Sequence, residues 1–408
     1  DLVNGPVTIN GKGTTLSLIN DQKGSNVARA VSTGLSKGND VSITADRLNL
    51  DARTSGFRAQ GIYADKGTVY VNADTHISTK ASSDSRGIYA GNSVIHMNGG
   101  LSNDVDTTAA SYSALYADGN GRITVNMKDG KAGGGKVNLK GDIYTESITS
   151  EDDDDDESSE NSTVDMALSG KESSWHGRSV YSTSDDDSSK GYGDFNLILD
   201  DGAVWTNEKV GSGMDAGSHV TKLTGGAEGK SGIIVQKDRK DLTVDALSGH
   251  TEVRYEKLDG TGSLRIRKAE VGTSVVLAAV SDTKINTASH LAADYNKTGV
   301  GSALNALAQK LYYTGRDNKL AGTVELVSAF GGTAVVSGTI SYKPDGQGFY
   351  DYADAIDTIT GIRKNNMNYV VSGILRDDGE NYVFSGDDSV SVKDGNAVSI
   401  DGNTGHKV

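Results

Sequence analysis

Apolar and polar residues alternate along most of the first 290 residues. In the segments 69–71, 95–97 and 123–125, Val, Ile or Met occupies every second position, and Gly, Asn and Asp stand nearby. Alternation with a period of two predicts short strands with one buried face, and the flanking residues predict tight turns. Helical spacing is almost absent from this part of the chain. The pattern therefore predicts an all-β fold.

The predicted strands carry a repeated phrase. It reads GIYADKGTVYVN, then GIYAGNSVIHMN, then ALYADGNGRITVN, and its alanines Ala64, Ala90 and Ala117 are 26 and 27 residues apart. AVSTGLSKGNDVSIT, from Ala30, is a candidate earlier copy, and SVYS, from Ser179, is a candidate fourth and degenerate copy. A nearly fixed period in this range is typical of stacked structural units.

Each repeated unit contains two or three short strands and no helix, so it cannot bury its apolar face alone. Stacking the units buries that face continuously and lets each strand pair with the strands above and below it. We therefore predict a right-handed parallel β-helix, a solenoid of about a dozen or more coils that each rise by about 4.8 Å.

One short helical excursion is predicted near residues 300–313. In GSALNALAQKLYYTG, Ser302 can cap the start of a helix and Gly315 its end. Between them, apolar residues follow the helical spacing; they are Leu304, Leu307, Ala308, Leu311 and Tyr312. We expect this helix to lie across the solenoid and to cover an apolar edge.

The composition agrees with a solenoid. The chain of 408 residues contains 52 Gly, 2 Pro and no Cys, and 35% of its residues are hydrophobic. A narrow core tolerates so low an apolar content, and the scarcity of Pro suits strands whose N–H groups all pair. The absence of Cys suits a chain that crosses an oxidising compartment while unfolded. The net charge of −15 argues against a nucleic-acid partner.

Residues 194–280 contain LDDGAVWTN, SHVTKLTGG, LTVDALSGHTEVRYEKLDG and VGTSVVLAAV in this order. The series resembles the C-terminal passenger region of type V autotransporters, although RYEKLD and RIRK are richer in charge than the pattern of that family. The resemblance implies a secreted passenger domain on the cell surface of a diderm bacterium, attached to the outer membrane through a translocating barrel that would lie outside this chain. It also implies that residues 240–285 nucleate folding outside the cell.

We expect three segments along the chain. Residues 1–193 form β-helix coils with acidic loops at 151–162 and 182–191. Residues 194–285 form the coils that resemble the folding-nucleating segment, and residues 286–408 form a helix-containing module with further strands. The acidic runs carry many like charges and no apolar anchor, which is typical of solvated loops.

These acidic loops are a candidate interaction site. A calcium site alternates carboxylates with a Gly turn and backbone carbonyls, and the runs have neither, so no metal and no cofactor is predicted. The candidate residues are Glu151, Asp152, Asp153, Asp154, Asp155, Asp156, Glu157, Asp185, Asp186 and Asp187.

Tyrosine recurs at one register of the repeated phrase, at Tyr63, Tyr89 and Tyr116. The three rings either stack on one another as a structural ladder, which we favour, or offer a row of faces to a sugar. Trp175 and Trp205 are isolated in the sequence, and we expect both to be buried.

No catalytic constellation is visible, so we expect a protein that is not an enzyme. GLSKG (34–38) has the spacing of a nucleophile turn, but a predicted strand follows it instead of a helix, and Asp46, Asp51 and Asp74 are scattered. We expect a secreted surface adhesin that mediates attachment, cell–cell aggregation and biofilm formation through the polar faces of the β-helix. Its partner would be a host or bacterial surface protein or glycan, or another copy of the chain. A polysaccharide-acting β-helix enzyme and a passive stalk for a distal module remain open as alternatives.

Overall fold

The structure is a computed structural model that describes most of the chain. The described residues are 6–24, 27–34, 39–146, 161–181, 193–211, 216–281, 303, 306–315, 317–318 and 320–328, together with the backbone of strands between 333 and 399. Strands account for 66% of the structure and helix for 2%, which confirms the predicted all-β class.

A parallel sheet of 17–19 strands is nearly closed round an axis. This is the parallel β-helix that the repeated phrase predicts. The chain divides into two compact units, residues 1–232 and 233–408, and each is described by itself below.

Most coils of the first unit contribute one strand to each of three parallel columns. The long strands β1 (Val7–Gln22), β3 (Val41–Thr54) and β5 (Thr68–Lys80) run through the first column and then the second. The first column continues with β7 (Val94–Met97), β10 (Arg122–Val125), β15 (Thr163–Ser169), β18 (Asp194–Asp200) and β20 (Ser218–Gly225). The second continues with β8 (Leu101–Val105), β13 (Val137–Lys140), β16 (Ser174–His176) and β19 (Val204–Asn207).

The third column is a separate six-stranded parallel sheet. It consists of β2 (Val27–Thr33), β4 (Arg58–Ala64), β6 (Asp84–Ala90), β9 (Ser111–Ala117), β14 (Ile143–Thr145) and β17 (Ser179–Tyr181). A small antiparallel hairpin, β11 (Met127–Lys128) and β12 (Lys131–Ala132), leaves the coils between β10 and β13. The strand β21 (Gly232–Gln236) spans the boundary between the two units.

The repeated phrases occupy identical positions on successive coils. Ala64 pairs with Ala90, and Ala90 pairs with Ala117, so the alignment read from the sequence is confirmed. The earlier copy is confirmed as well, because Thr33 pairs with Ala64. Local repetition was sufficient here because each coil buries the same side chains against its neighbours.

The predicted fourth copy at SVYS needs correction. The fourth coil of the third column is β14, where Tyr144 pairs with Tyr116. SVYS lies on the fifth pairing, and there Val180 takes the place of the tyrosine while Tyr181 is shifted by one position. The sequence alignment skipped Tyr144 because the hairpin of β11 and β12 lengthens the chain between the two copies.

Trp175 and Trp205 are both fully buried, as predicted, but they are not isolated in space. They pair in adjacent strands of the second column, and their rings stack at 4.7 Å with an interplanar angle of 9°. Each indole N–H donates to the carbonyl oxygen of a glycine, Gly141 for Trp175 and Gly177 for Trp205, both at 2.9 Å. The buried indoles are thus satisfied within the core.

The predicted segment boundary at residue 193 does not interrupt the parallel ladder. Seven consecutive residues of β15 pair with β18, from Thr163 with Asp194 to Ser169 with Asp200. The boundary stays a prediction about the change in sequence character on its two sides.

In the second unit each coil contributes two parallel strands. One column holds β22 (Leu242–Ser248), β24 (Leu264–Ala269) and β26 (Leu311–Tyr313). The other holds β23 (His250–Tyr255), β25 (Ser274–Ser281) and β27 (Leu320–Ser328). Because β25 pairs with β27, the ladder continues on both sides of the predicted boundary at residue 285.

The helix predicted near 300–313 is shorter than its apolar spacing indicates. Among the described residues, 303 and 306–308 are helical, and the strand β26 begins at Leu311. Leu311 and Tyr313 are both buried and pair with Leu264 and Ile266. Strand pairing and burial override the local helical pattern after Ala308.

After β27 the pairing changes from parallel to antiparallel. The strands β28 (Thr333–Ile340), β29 (Thr358–Lys364), β30 (Met367–Val371), β33 (Ser389–Val392) and β34 (Ala397–Ser399) each pair antiparallel with the next in this series, and β28 pairs with β27. A separate antiparallel pair consists of β31 (Ile374–Asp377) and β32 (Tyr382–Ser385).

Candidate functional site

The tyrosines of the repeated phrase form one continuous row on the third column. The ring centroids of Tyr63 and Tyr89 are 5.1 Å apart, those of Tyr89 and Tyr116 5.5 Å, and those of Tyr116 and Tyr144 5.6 Å. All three pairs are stacked. Each inner ring therefore has a tyrosine on both faces, and this geometry favours the structural ladder over a platform for sugars.

The hydroxyl groups of this tyrosine row point to carboxylates of the following coil. Tyr89 donates to Asp118 at 3.2 Å, and Tyr116 donates to Glu146 at 2.6 Å. Burial, with help from these carboxylates, raises the pKa of both phenols above the usual value for tyrosine. The row thus presents neutral hydroxyl groups that are already engaged.

Arginines flank the same row. The Arg29 guanidinium lies 3.6 Å from the centre of the Tyr63 ring, and the Arg86 guanidinium lies 4.1 Å from that of Tyr116. Such cation–π contacts hold the charged groups against the ladder. The sequence analysis missed these arginines, although aligning the residues immediately before GIYA places Arg86 and Arg29 in one register.

Arg58 and Arg86 share one carboxylate. Arg58 Nε lies 2.5 Å from Asp84 Oδ2, and Arg86 Nε lies 2.9 Å from Asp84 Oδ1. The Asp84 side chain is only 5% exposed, whereas those of Arg58 and Arg86 are 30% and 12% exposed. The arginine cluster, Arg29, Arg58 and Arg86, therefore lies on the outer side of the column and carries more positive charge than this one carboxylate balances.

A second feature is a polar column along the second strand column, where short polar side chains occupy one register over six coils. Its members, which are exposed or half-buried, are Ser17, Asn49, His76, Ser102, Asn138 and Ser174. Neighbouring members hydrogen-bond to each other: His76 Nδ1 lies 3.0 Å from Ser102 Oγ, and Ser174 donates to Asn138 Oδ1 at 3.0 Å.

The first strand column carries a more mixed outer surface. Tyr70 stacks on His96 at 4.9 Å, and His96 Nδ1 lies 2.8 Å from Thr124 Oγ1. Farther along, Arg122 pairs with Asp165 at 2.7 Å. Burial, and after it the charge of Arg122, lowers the pKa of His96. This surface combines an aromatic pair with an ion pair, in contrast to the uniform polar column.

Other candidates from the sequence do not come together. Asp46 accepts the Gly13 N–H, Asp51 pairs with Arg53, and Asp74 accepts the Gly100 N–H, so each of the three has a separate local role. The acidic residues of 151–157 and 185–187, and residues 35–38 of GLSKG, lie outside the described residues. Within the described part of the chain, no group of three or more His, Asp or Glu side chains is placed to hold a metal ion.

Among the residues that the structure describes, no helix is long and apolar enough to cross a membrane. Compared with protein-family models, with curated proteins and with solved structures, the chain has no significant match.

Proposed function

We propose that this chain is the passenger domain of an autotransporter and acts as a non-enzymatic surface adhesin. Its role would be attachment and cell–cell aggregation on the surface of a diderm bacterium. The resemblance of residues 194–280 to autotransporter passengers supports the secreted location. The polar column is the single observation that supports the adhesive role.

The chemistry of the polar column suits adhesion. Ser and Asn side chains both donate and accept hydrogen bonds, and they lose less rotamer freedom on contact than long charged side chains. The members Ser17, Asn49, Asn138 and Ser174 are exposed, and they repeat with the coil spacing of about 4.8 Å. A second β-helix laid alongside presents its own groups at the same spacing, so many weak contacts form together.

Many copies on one cell strengthen such contacts. An interface of this kind is polar, with about one hydrogen bond per 100–200 Å², and each contact is weak. Several contacts between two cells act as linked binding events, so avidity exceeds the affinity of one pair. A modest affinity between two copies is therefore sufficient for aggregation.

The test is a settling assay with a bacterial strain that does not aggregate and that displays the chain through a fused surface anchor. We expect the wild-type chain to make the cells settle. The double variant Ser102→Arg, Asn138→Arg adds bulk and two charges to adjacent coils of the polar column, and we expect it to slow settling several-fold.

The matched control is Asn72→Arg, Asn98→Arg. These two residues are exposed on adjacent coils of the first column and hydrogen-bond to each other at 2.8 Å, so the charge change is the same. We expect settling close to wild type. Cells that stay dispersed with the wild-type chain, or equal losses in both variants, would contradict the proposal.

A further inference from the structure

The arginine cluster is an unusual feature of an acidic chain. Arg29 and Arg86 occupy the same register two coils apart, with Gln60 between them, and Arg58 lies in the neighbouring register. Three guanidiniums thus lie on three successive coils, in a chain whose net charge is −15. Their repulsion is real, because Arg58 contributes to lowering the pKa of Arg29, although burial is the main cause of that shift.

The charges inside the cluster are incompletely balanced. Asp84 is shared by Arg58 and Arg86, and Arg29 Nε donates to the neutral Gln60 Oε1 at 2.8 Å. Asp65 and the Tyr63 ring also favour the charged form of Arg29. Against three guanidiniums there are two carboxylates, so the cluster keeps an excess of positive charge that an anion would neutralise.

Gln60 adds an independent observation. Its side chain is fully buried between Arg29 and Arg86 in the register, and its Nε2 has no hydrogen-bond partner among the described residues. A buried amide donor without an acceptor costs about 1–3 kcal/mol. An oxyanion seated between the two guanidiniums, with a small shift of their side chains, would supply the missing acceptor.

We propose that Arg29, Arg58 and Arg86 bind the sulfate or carboxylate groups of an acidic polysaccharide. Guanidinium groups bind such oxyanions through paired N–H donors. The three arginines follow the axis of the coils at a spacing of about 4.8 Å per coil, which suits a linear chain with repeated charges. The proposal deepens the proposed attachment function by naming a ligand class, and it rests on that function for its biological role.

The tyrosine row argues against a nucleic acid at this site. Single-stranded nucleic acids are held by stacking bases on free aromatic faces. Here Tyr89 is covered by Tyr63 and Tyr116, and the Tyr63 ring is covered by Arg29. A polysaccharide needs only the guanidiniums and the polar edge of the row, so the geometry favours it.

The test measures binding of the purified chain to heparin oligosaccharides, which carry sulfate and carboxylate, and to polygalacturonate, which carries carboxylate alone. Dextran is the neutral probe. We expect binding to at least one acidic probe, weakened by added salt, and none to dextran. The double variant Arg29→Gln, Arg58→Gln should weaken binding by about tenfold or more, because it removes two charge-assisted contacts.

The matched control is Arg53→Gln, Arg122→Gln. These arginines are 53% and 56% exposed, lie on other columns and each pair with an aspartate, so the charge change is the same. We expect their double variant to bind within about twofold of wild type, because long-range charge is screened. Arg29→Lys, Arg58→Lys should recover only part of the affinity, since lysine keeps the charge but not the planar pair of donors.

Three results would overturn the inference. They are no binding of the wild-type chain to either acidic probe, equal losses in the cluster and control variants, and tighter binding of oligothymidylate or of the acidic peptide EDDDDDESSE than of the glycans. Thermal unfolding of each variant shows whether it is folded. Since this assay uses purified protein, glycan binding can fail while displayed cells still aggregate, and the reverse, so the two proposals are tested separately.

Discussion

Tyr63 and Tyr89 are 26 residues apart in the sequence, yet their rings stack at 5.1 Å with planes only 4° apart. The distance equals little more than the rise between neighbouring coils. One side chain therefore serves as a ruler for the solenoid: wherever the phrase returns, the chain has completed one coil. The same relationship extends through Tyr116 to Tyr144.

The tyrosine row should contribute to stability. Tyr89→Leu removes two stacked pairs, each worth about 0.5–1.5 kcal/mol beyond the area that is buried. Tyr70→Leu is the control, because Tyr70 is 40% exposed and stacks on His96 alone among the ring contacts of the described residues. We expect the thermal midpoint to fall clearly further for Tyr89→Leu. Equal midpoints would mean that the ladder adds nothing.

The tyrosine row should also make the fold sensitive to alkali. The pKa values of Tyr89 and Tyr116 are raised in the folded chain, mainly by burial. The unfolded chain releases these protons near pH 10, whereas the folded chain retains them to higher pH. Their contribution to stability is therefore complete below about pH 10 and is lost as the pH rises through the folded pKa values.

Absorbance of the phenolate in a pH titration measures this effect. We expect part of the 17 tyrosines to ionise near pH 10 and a later group to ionise only with unfolding. Tyr116→Phe should make the later group smaller and flatten the alkaline loss of stability. Ionisation of all tyrosines in one step near pH 10, with the circular dichroism of the folded chain intact, would be incompatible with this account.

Gly61 allows two coils and the core to approach closely. A Cβ at this position would collide with Ile77 Cγ2 and would lie 2.7 Å from the carbonyl oxygen of Gly87. We expect Gly61→Ala to cost about 1–3 kcal/mol, the usual range for overpacking. Gly134→Ala is the control, because a Cβ there would meet nothing within 4 Å. Denaturation midpoints decide between them, and two equal midpoints would contradict this packing.

Arg178 and Asp142 form an ion pair in the core. Both residues are fully buried, and Arg178 Nη2 lies 2.9 Å from Asp142 Oδ2. Arg178→Met leaves a buried carboxylate without its counter-charge and should cost about 3–5 kcal/mol. The double variant Arg178→Met, Asp142→Ala should be more stable than the sum of the two single losses predicts. Strictly additive losses in denaturant would show that the pair is not coupled.

The repeated phrase made most of the fold predictable. Because Ala64, Ala90 and Ala117 have the same neighbours in every coil, the local sequence contains the long-range register. Prediction failed where a coil departs from the period. The insertion of β11 and β12 hid Tyr144, and pairing with β24 converted Leu311–Tyr313 from a predicted helix into a strand.

The candidate site was less accessible to sequence reasoning. Ser17 and Ser174 are 157 residues apart, and only the pairing of six strands places them in one column. Arg58 and Arg86 likewise share Asp84 through pairing between coils. Such sites depend on register between repeats outside the echoed phrase, where the letters differ from copy to copy and give no signal by themselves.

The central functional claim is that two copies meet along the polar column. Since the chain has no Cys, a single cysteine at Asn138→Cys reports on this contact when a thiol-reactive cross-linker is added to the purified protein. Asn72→Cys, equally exposed on the first column, is the control. The account predicts that dimers form several-fold faster from Asn138→Cys than from Asn72→Cys. Equal rates, or faster cross-linking at position 72, would contradict it.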